Sequence, residues 1–585
     1  MRGAEALRGP ERSGMRAGPG GRRPHPRPFL PPAALRWSAA SSAAAAISYA
    51  DRGASAVAAS SLLDSLGWSE SQLGGVQSAF FAGYALTQVA GGVLAGGGAC
   101  RDAGGTGEDG LSLIDGGGRR TSEMRRRDDE RFRSVLPLSL FLTGIATLLF
   151  PLAASMGPAW ASADRFCLGL MEGLLLPAAM AGVSATTSGQ DAGDGGESDD
   201  EVDVDEGNGD VGGRADVKAT ASSIVIAGCY LGSAWAYLSA WGLYSASFQS
   251  CLLWAGVDGP VWPLVFYANG VLSLFCLLFF RDEFDLSMGL FSTRDSFEPD
   301  GEGAEPRSGL AAGAKDLILD TVDVARETVL SGSGRAILAA QVGQGALLYS
   351  IASWGPLYLE RLGPARGEVA DAASAGASDL PPGVSAVAVT ASAAAASLIL
   401  PQIAQAAVGV GVGTAADGLS TRIGTRTTRR ALQVVSGVGP ALVLVALTRT
   451  GVASERGGGL EELLLPPAVL FGAAQTLSAL SLGAVSVSHL DVASPPKAGS
   501  VYALGNVAAA VSGSAMVSLF GRLLDGAARS SSGSAAAASA DEFALPFRIV
   551  ALVSAVGSIW YGLTVESDVE IGAAATTGRI NRKDR

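Results

Sequence analysis

Apolar stretches of roughly 20 residues, the length an α-helix needs to cross about 30 Å of hydrocarbon, recur along the chain, with charge gathered between them. Twelve such blocks are read, at 33–63, 72–94, 135–156, 160–185, 219–244, 262–280, 336–359, 384–412, 431–447, 463–485, 499–523 and 543–563. A polar interval from 281 to 334 separates the first six from the last six. The pattern predicts an all-α membrane protein with two six-helix halves, 33–280 and 335–565, each a domain in its own right. Insertions at about 97–133 and 187–217 interrupt the first half, an Arg/Pro-rich arm occupies 1–32, and a tail occupies 566–585. Within the central interval, Ile318, Val322, Ala325 and Val329 recur at helical spacing among acidic residues, which predicts an amphipathic surface helix lying along the membrane or capping the halves.

Composition removes the soluble alternative. Of 585 residues 48% are hydrophobic and only 17% charged, and the mean hydropathy is +0.31. The net charge of −13 comes largely from one tract, 190–216, whose composition is that of a solvated loop. There Glu201, Asp203 and Asp205 alternate as in a calcium loop, but Glu206 stands where such a loop needs Gly and Gly212 where it needs a closing Glu. Five cysteines form no CxxC pair and the two histidines, His25 and His489, lie far apart, so neither a disulfide framework, a metal site nor a resident cofactor is expected. No nucleophile motif or phosphate-binding glycine loop is present, and an enzyme is not expected; nor is a nucleic-acid partner.

Basic residues set the orientation, because Lys and Arg beside spans stay on the cytoplasmic side. They cluster in the arm (Arg22, Arg23, Arg27, Arg36), in the second-to-third connection (Arg119, Arg120, Arg125, Arg126, Arg127), in the eighth-to-ninth (Arg422, Arg426, Arg429, Arg430) and in the tail (Arg579, Arg582, Lys583, Arg585). Both termini should then face the cytoplasm or its equivalent. The run Gly91-Gly92-Val93-Leu94-Ala95 and the run Gly413-Thr414-Ala415-Ala416-Asp417 occupy matching places before the arginines of each half, as a duplicated six-span unit would have it.

Asp51 and Arg52 interrupt the first span. An ionisable side chain at bilayer depth costs at least ~2.5–3.5 kcal/mol and normally faces a wet cavity or a partner on a substrate path. Arg52 is permanently charged and offers a planar fork of donors that suits phosphate or carboxylate oxygens; the competing role is an internal ion pair with Asp51 or Glu172. Arg165, Gly169 and Glu172, spaced four and three apart, share one face of the fourth span, and Gly169 permits a close approach there by a neighbouring helix or by substrate.

These residues carry a family resemblance. Tyr49-Ala50-Asp51-Arg52, Leu66-Gly67-Trp68-Ser69 and the run from Ser78 to Gly92 (SAFFAGYALTQVAGG) resemble the anion:cation symporter family of the major facilitator superfamily, with plant/plastid-type sodium-dependent phosphate transporters the nearest branch. Arg165-Phe166 with Glu172-Gly173 and Pro177-Ala178 looks like its fourth-span motif, Ser353-Trp354-Gly355-Pro356-Leu357-Tyr358 its seventh-span motif, and Ser488-His489-Leu490-Asp491-Val492 the sequence after its tenth span. Gly505-Asn506 stands where the eleventh span has Gly-x-x-Asn. The chain departs from the family at Gly96, where an acidic residue is usual, at Ser488, and at Gly345-Ala346.

The resemblance implies the twelve-helix major facilitator fold and symport of a small anion by alternating access. Inorganic phosphate, coupled to sodium or protons, is the first expectation, and an organic anion such as a sugar acid, ascorbate or glutamate the second; a scaffold or sensor of the same fold and an anion channel are the rivals. Substrate would be bound by Arg52, Tyr84, Gln88, Tyr349, Ser353 and Asn506, while Asp51, Arg165, Glu172, Asp417, His489 and Asp491 would serve coupling and gating. Asp491 is placed two residues from His489, where a carboxylate can hold an imidazole in one tautomer. The protein is expected to act as a monomer among membrane lipids, in a plastid envelope, a thylakoid or the plasma membrane.

Overall fold

The computed structural model describes residues 32–96, 117–188, 211–281, 322–362, 384–454, 467–532, 540–566 and 571. The N-terminal arm, most of both insertions and of the central interval, and the tail beyond Ile571 lie outside them, and with these go their basic clusters; of Arg119 to Arg127 only the helical backbone is described.

Among the described residues twelve long helical rods follow one another, numbered here as spans, with a short helix, Ala246–Trp254, between the fifth and sixth. Span one is Pro32–Val57 continued by Ala59–Leu66; span two is Glu70–Gly96; span three Gly117–Ser155; span four Pro158–Glu172 and Leu175–Ser188; span five Val211–Leu243; span six Trp262–Phe279. Spans seven to nine are Gly332–Leu362, Ala386–Ile423 and Thr425–Ser454. Span ten is Pro467–Ser478, a 3₁₀ turn Ala479–Gly483, and Val485–Val492; spans eleven and twelve are Pro495–Ser532 and Ala544–Thr564. Nine of the described helices are long and apolar enough by themselves to cross a membrane; the rest include span one, polar at Asp51 and Arg52, and span four, broken after Glu172. Large apolar side chains such as Leu278, Leu442, Leu552 and Leu563 remain exposed on the outside of the bundle, as lipid-facing positions would be.

The halves repeat one packing plan. In the first, span one packs on five and six, two on four, and three on six; in the second, seven packs on eleven and twelve, eight on ten, and nine on twelve. Across the halves, two lies on eleven and five on eight. Spans four and ten, equivalent in this scheme, are both broken, and side chains take up the backbone groups a break releases. Gln88 Nε2 donates to the Gly173 carbonyl (3.2 Å), Gln344 Nε2 to the Ser478 carbonyl (3.2 Å), and Gln433 Oε1 accepts from Val485 N (3.4 Å). The internal duplication read from two loops is thus carried through every span.

Residues 322–330 form the described part of the amphipathic helix. Val324 and Thr328 are its buried side, whereas Val322, Val329 and Leu330 point outward. The buried side is therefore not the expected stripe of Ile318, Val322, Ala325 and Val329, of which Ile318 lies outside the described residues, and Lys497 ties the helix to span eleven through Glu327 (2.7 Å).

Candidate substrate site between the halves

Span four can reach span two because glycines face each other there. A Cβ on Gly169 would lie 2.0 Å from the Phe80 carbonyl oxygen, and one on Gly83 2.1 Å from that of Phe166. The neighbour that Gly169 admits is thus a helix, not substrate. This close crossing brings Glu172 beneath Arg52: its Oε2 accepts from Arg52 Nε at 2.8 Å and from the Ser48 hydroxyl at 2.5 Å. Arg52 Nη2 also donates to Ser48 Oγ (3.4 Å).

Three rings enclose the guanidinium, Tyr49 at 4.3 Å, Tyr84 at 4.6 Å and Phe80 at 4.9 Å to its carbon. Such stacking holds the fork in one plane and favours the cation. One edge is left over: Arg52 Nη1 is buried and has no hydrogen-bond partner among the described residues. Arg52 also lines a cavity of about 20 Å³, together with Ser55, Gln77, Phe80, Phe81, Arg165 and Ser353, drawn from spans one, two, four and seven. That is room for about one water and too little for an oxyanion, so binding requires the halves to part.

Arg165, fully buried, donates through Nη1 to the Asp51 backbone carbonyl (3.1 Å) and lies over Phe150 at 4.1 Å and Phe266 at 5.2 Å; its Nε and Nη2 have no hydrogen-bond partner. Among the described residues both carboxylate oxygens of Asp51, likewise buried, lack a hydrogen-bond partner too. The ion pair that forms is therefore Arg52 with Glu172, and the hydrogen bond between Asp51 and Arg165 is made by the Asp51 main chain.

The remaining expected residues divide. Tyr84 is on Arg52 and Ser353 on the cavity, while Tyr349 reaches across from span seven, its ring 4.2 Å from that of Phe81. Asn506 is half-buried on span eleven. Gln88 has its amide on the broken span four, as above. His489 and Asp491 are not partners: Asp491 accepts from Arg429 Nε (3.0 Å), whose Nη1 donates to the Gly483 carbonyl (2.8 Å), whereas the His489 ring lies 4.9 Å from that of Tyr502. The half-turn of helix separating positions 489 and 491 sends their side chains to different neighbours, so the expected carboxylate hold on the imidazole is replaced by a brace from span nine to span ten. Asp417 lies on span eight, with its side chain outside the described residues.

Sequence reading missed the contacts that close one face. Arg361 Nη2 meets Glu70 Oε1 at 2.9 Å, and both side chains are nearly fully buried. Asp525 accepts from Ser71 N (3.2 Å), Ser514 Oγ donates to the Ser78 carbonyl (2.9 Å), Gln249 Oε1 accepts from Ser385 N (2.8 Å) and Ser392 Oγ donates to the Trp241 carbonyl (2.8 Å). Trp354, buried and stacked on Phe520 at 5.3 Å, fills the angle between spans seven and eleven beside Gly74. The Arg361–Glu70, Ser71–Asp525, Gln249–Ser385 and Ser392–Trp241 contacts lie towards the span ends opposite the Arg422 to Arg430 cluster, here called the outer face.

No family model matches the chain, and no curated protein matches it either. Solved structures do. A bacterial homolog of the human lysosomal transporter Spinster, in an inward-facing and occupied conformation, is similar over 91% of this chain and 97% of that one, with a TM-score of 0.53 and 16% identity. Its inward-facing, unoccupied form gives 0.55 at 14% identity, over 91% and 97% of the two chains. The nucleoside transporter NupG gives 0.51 at 11% identity, over 91% of this chain and 98% of that one. The chain has the twelve-helix fold of these transporters.

Proposed function

We propose that the chain is a symporter of a small anion, inorganic phosphate first, coupled to sodium or protons and working by alternating access. The observation that carries this is Arg52: a largely buried cation at the junction of the halves, neutralised on one edge by Glu172, with Nη1 unpaired among the described residues, and lining a cavity between the halves. A guanidinium so held can receive two oxyanion oxygens once the halves part, with Arg165 and Ser353 on the same wall. Asp51 and Glu172 supply buried carboxyls beside the anion, as ion coupling requires. Closure of the outer face, with part-buried Tyr349 and Asn506 towards the inner one, suits the inward-directed half of the cycle.

The apolar wall formed by Phe80 and Phe81 favours a second reading, an organic anion with a hydrocarbon body, since phosphate has no surface to lay against it. Uptake of labelled phosphate into proteoliposomes, with and without competing organic anions, tests both. Saturable, counterflow-competent phosphate uptake that Arg52→Gln abolishes supports the first; uptake of an organic anion alone overturns it. Non-saturating flux would indicate a channel, and neither flux a scaffold.

A further inference from the structure

A larger cavity lies far from Arg52, on the outside of the second half at the arginine-rich face. It is an open groove of about 620 Å³, lined by Arg426, Thr427, Arg430, Ala431 and Val434 at the start of span nine. Span twelve runs alongside: Val434 packs where Gly562 leaves space, and next to it Trp560 and Leu563 are exposed. The groove is therefore basic at its mouth and apolar along its length. It sits where span nine begins and span twelve ends, the level at which tryptophan and arginine mark the edge of the hydrocarbon.

Among the described residues, Arg426 and Arg430 share one carboxylate, Glu566, which pairs closely with Arg426 and lies 3.6 Å from Arg430. Arg430 also donates to the Val565 carbonyl (2.6 Å), so Arg426, its side chain 46% exposed, is the freer cation. Two guanidiniums, a threonine hydroxyl and an apolar channel running towards the membrane interior match a phosphodiester headgroup with an acyl chain attached, and a free anion would use only the mouth.

We propose that this groove binds an anionic phospholipid of the cytoplasmic leaflet, its phosphate on Arg426 and Arg430 and its acyl chain along Ala431 and Val434, in competition with Glu566. The site is separate from the transport cavity and does not depend on which solute is carried.

The test is lipid retention by the full chain in mixed nanodiscs of phosphatidylglycerol and phosphatidylcholine, read by native mass spectrometry after extraction. The wild type should keep phosphatidylglycerol preferentially, and each of Arg426→Gln and Arg430→Gln should lower that preference about fivefold. Ala431→Trp, which fills the groove without altering charge, should lower it as well, and Glu566→Gln should raise it. Thermal unfolding of each variant identifies any that fail to fold, and Glu566→Gln keeps the test decisive because it predicts a gain. No preference in the wild type, or a preference insensitive to Ala431→Trp and Glu566→Gln, overturns the proposal. Displacement of the lipid by millimolar inorganic phosphate would also overturn it, assigning the mouth to free anions.

Discussion

Gly169→Ala should disturb Arg52 without touching it. An added Cβ would stand 2.0 Å from the Phe80 carbonyl oxygen and 2.8 Å from the Tyr84 nitrogen, and contacts below 3.0 Å are not sustained. Because both neighbours are backbone, no side chain can swing away, and spans two and four must separate by about 1 Å. The same turn of span two carries the Phe80 and Tyr84 rings that lie 4.9 and 4.6 Å from the guanidinium, while span four carries Glu172, 2.8 Å from its Nε. Separation therefore pulls the cage and the counter-ion in opposite directions. Overpacking costs about 1–3 kcal/mol, against a helix-propensity gain of roughly 0.5–1 kcal/mol for replacing glycine by alanine, so a net loss of about 1–2 kcal/mol is expected. Gly75→Ala is the matched control: it is also on span two, an added Cβ meets nothing within 4 Å, and only the propensity gain applies. Thermal unfolding in detergent and initial-rate uptake read both. Gly169→Ala should lower Tm and raise KM, whereas Gly75→Ala should hold or raise Tm and leave uptake unchanged. Equal behaviour of the two variants in both assays would refute the claim that this helix crossing positions Arg52.

Further outcomes follow from other contacts. Arg52→Gln should abolish anion uptake and cost about 3–5 kcal/mol of stability, because it leaves the buried Glu172 without its cation; the double variant with Glu172→Gln should recover stability but not uptake, as unfolding and transport measured together would reveal. Glu70→Gln or Arg361→Gln should unlatch the outer face, so that a cysteine placed at Ser78 reacts faster with a membrane-impermeant maleimide, and exchanging the two charges should slow the reaction again. Ile571→Asp should lower Tm by the equivalent of about 3 kcal/mol, since it puts a charge into the cluster of Val492, Val501, Tyr561 and Val565, and a normal Tm would contradict the packing described.

The spans were legible because the bilayer imposes their length and forbids unpaired backbone, so twelve apolar blocks could hardly be anything else. Arg52 and Glu172 could be nominated because charge at such depth is costly, and Tyr84 through the family resemblance; the structure places both Glu172 and Tyr84 on Arg52. Partners chosen by helix rotation were not legible. Glu70 and Arg361 are 291 positions apart and each, alone, reads as an ordinary charge at the end of a span. Asp491 turns to Arg429 and not to His489, whereas Gln88 answers the Gly173 carbonyl, which Pro177, four residues on, has no N–H to bond, so that signal stood in the sequence unused. Tyr49 stood one turn from Arg52 in a motif already singled out, and that spacing was the available signal for its part in the cage.

The segment after span twelve has a consequence for anyone wishing to watch the molecule at work. Ile571 exchanges main-chain bonds with Val492 (3.1 Å) and Ser494 (3.0 Å), Glu566 N donates to Ser333, Arg426 holds Glu566 and Arg430 holds the Val565 carbonyl, so the starts or ends of spans seven, nine, ten, eleven and twelve are stitched together. A fluorophore attached at this seam would travel with the whole second half. Paired with a dye at the inner end of span four, it would convert each swing of one half against the other into a change of energy transfer, and single molecules could be timed through their turnover.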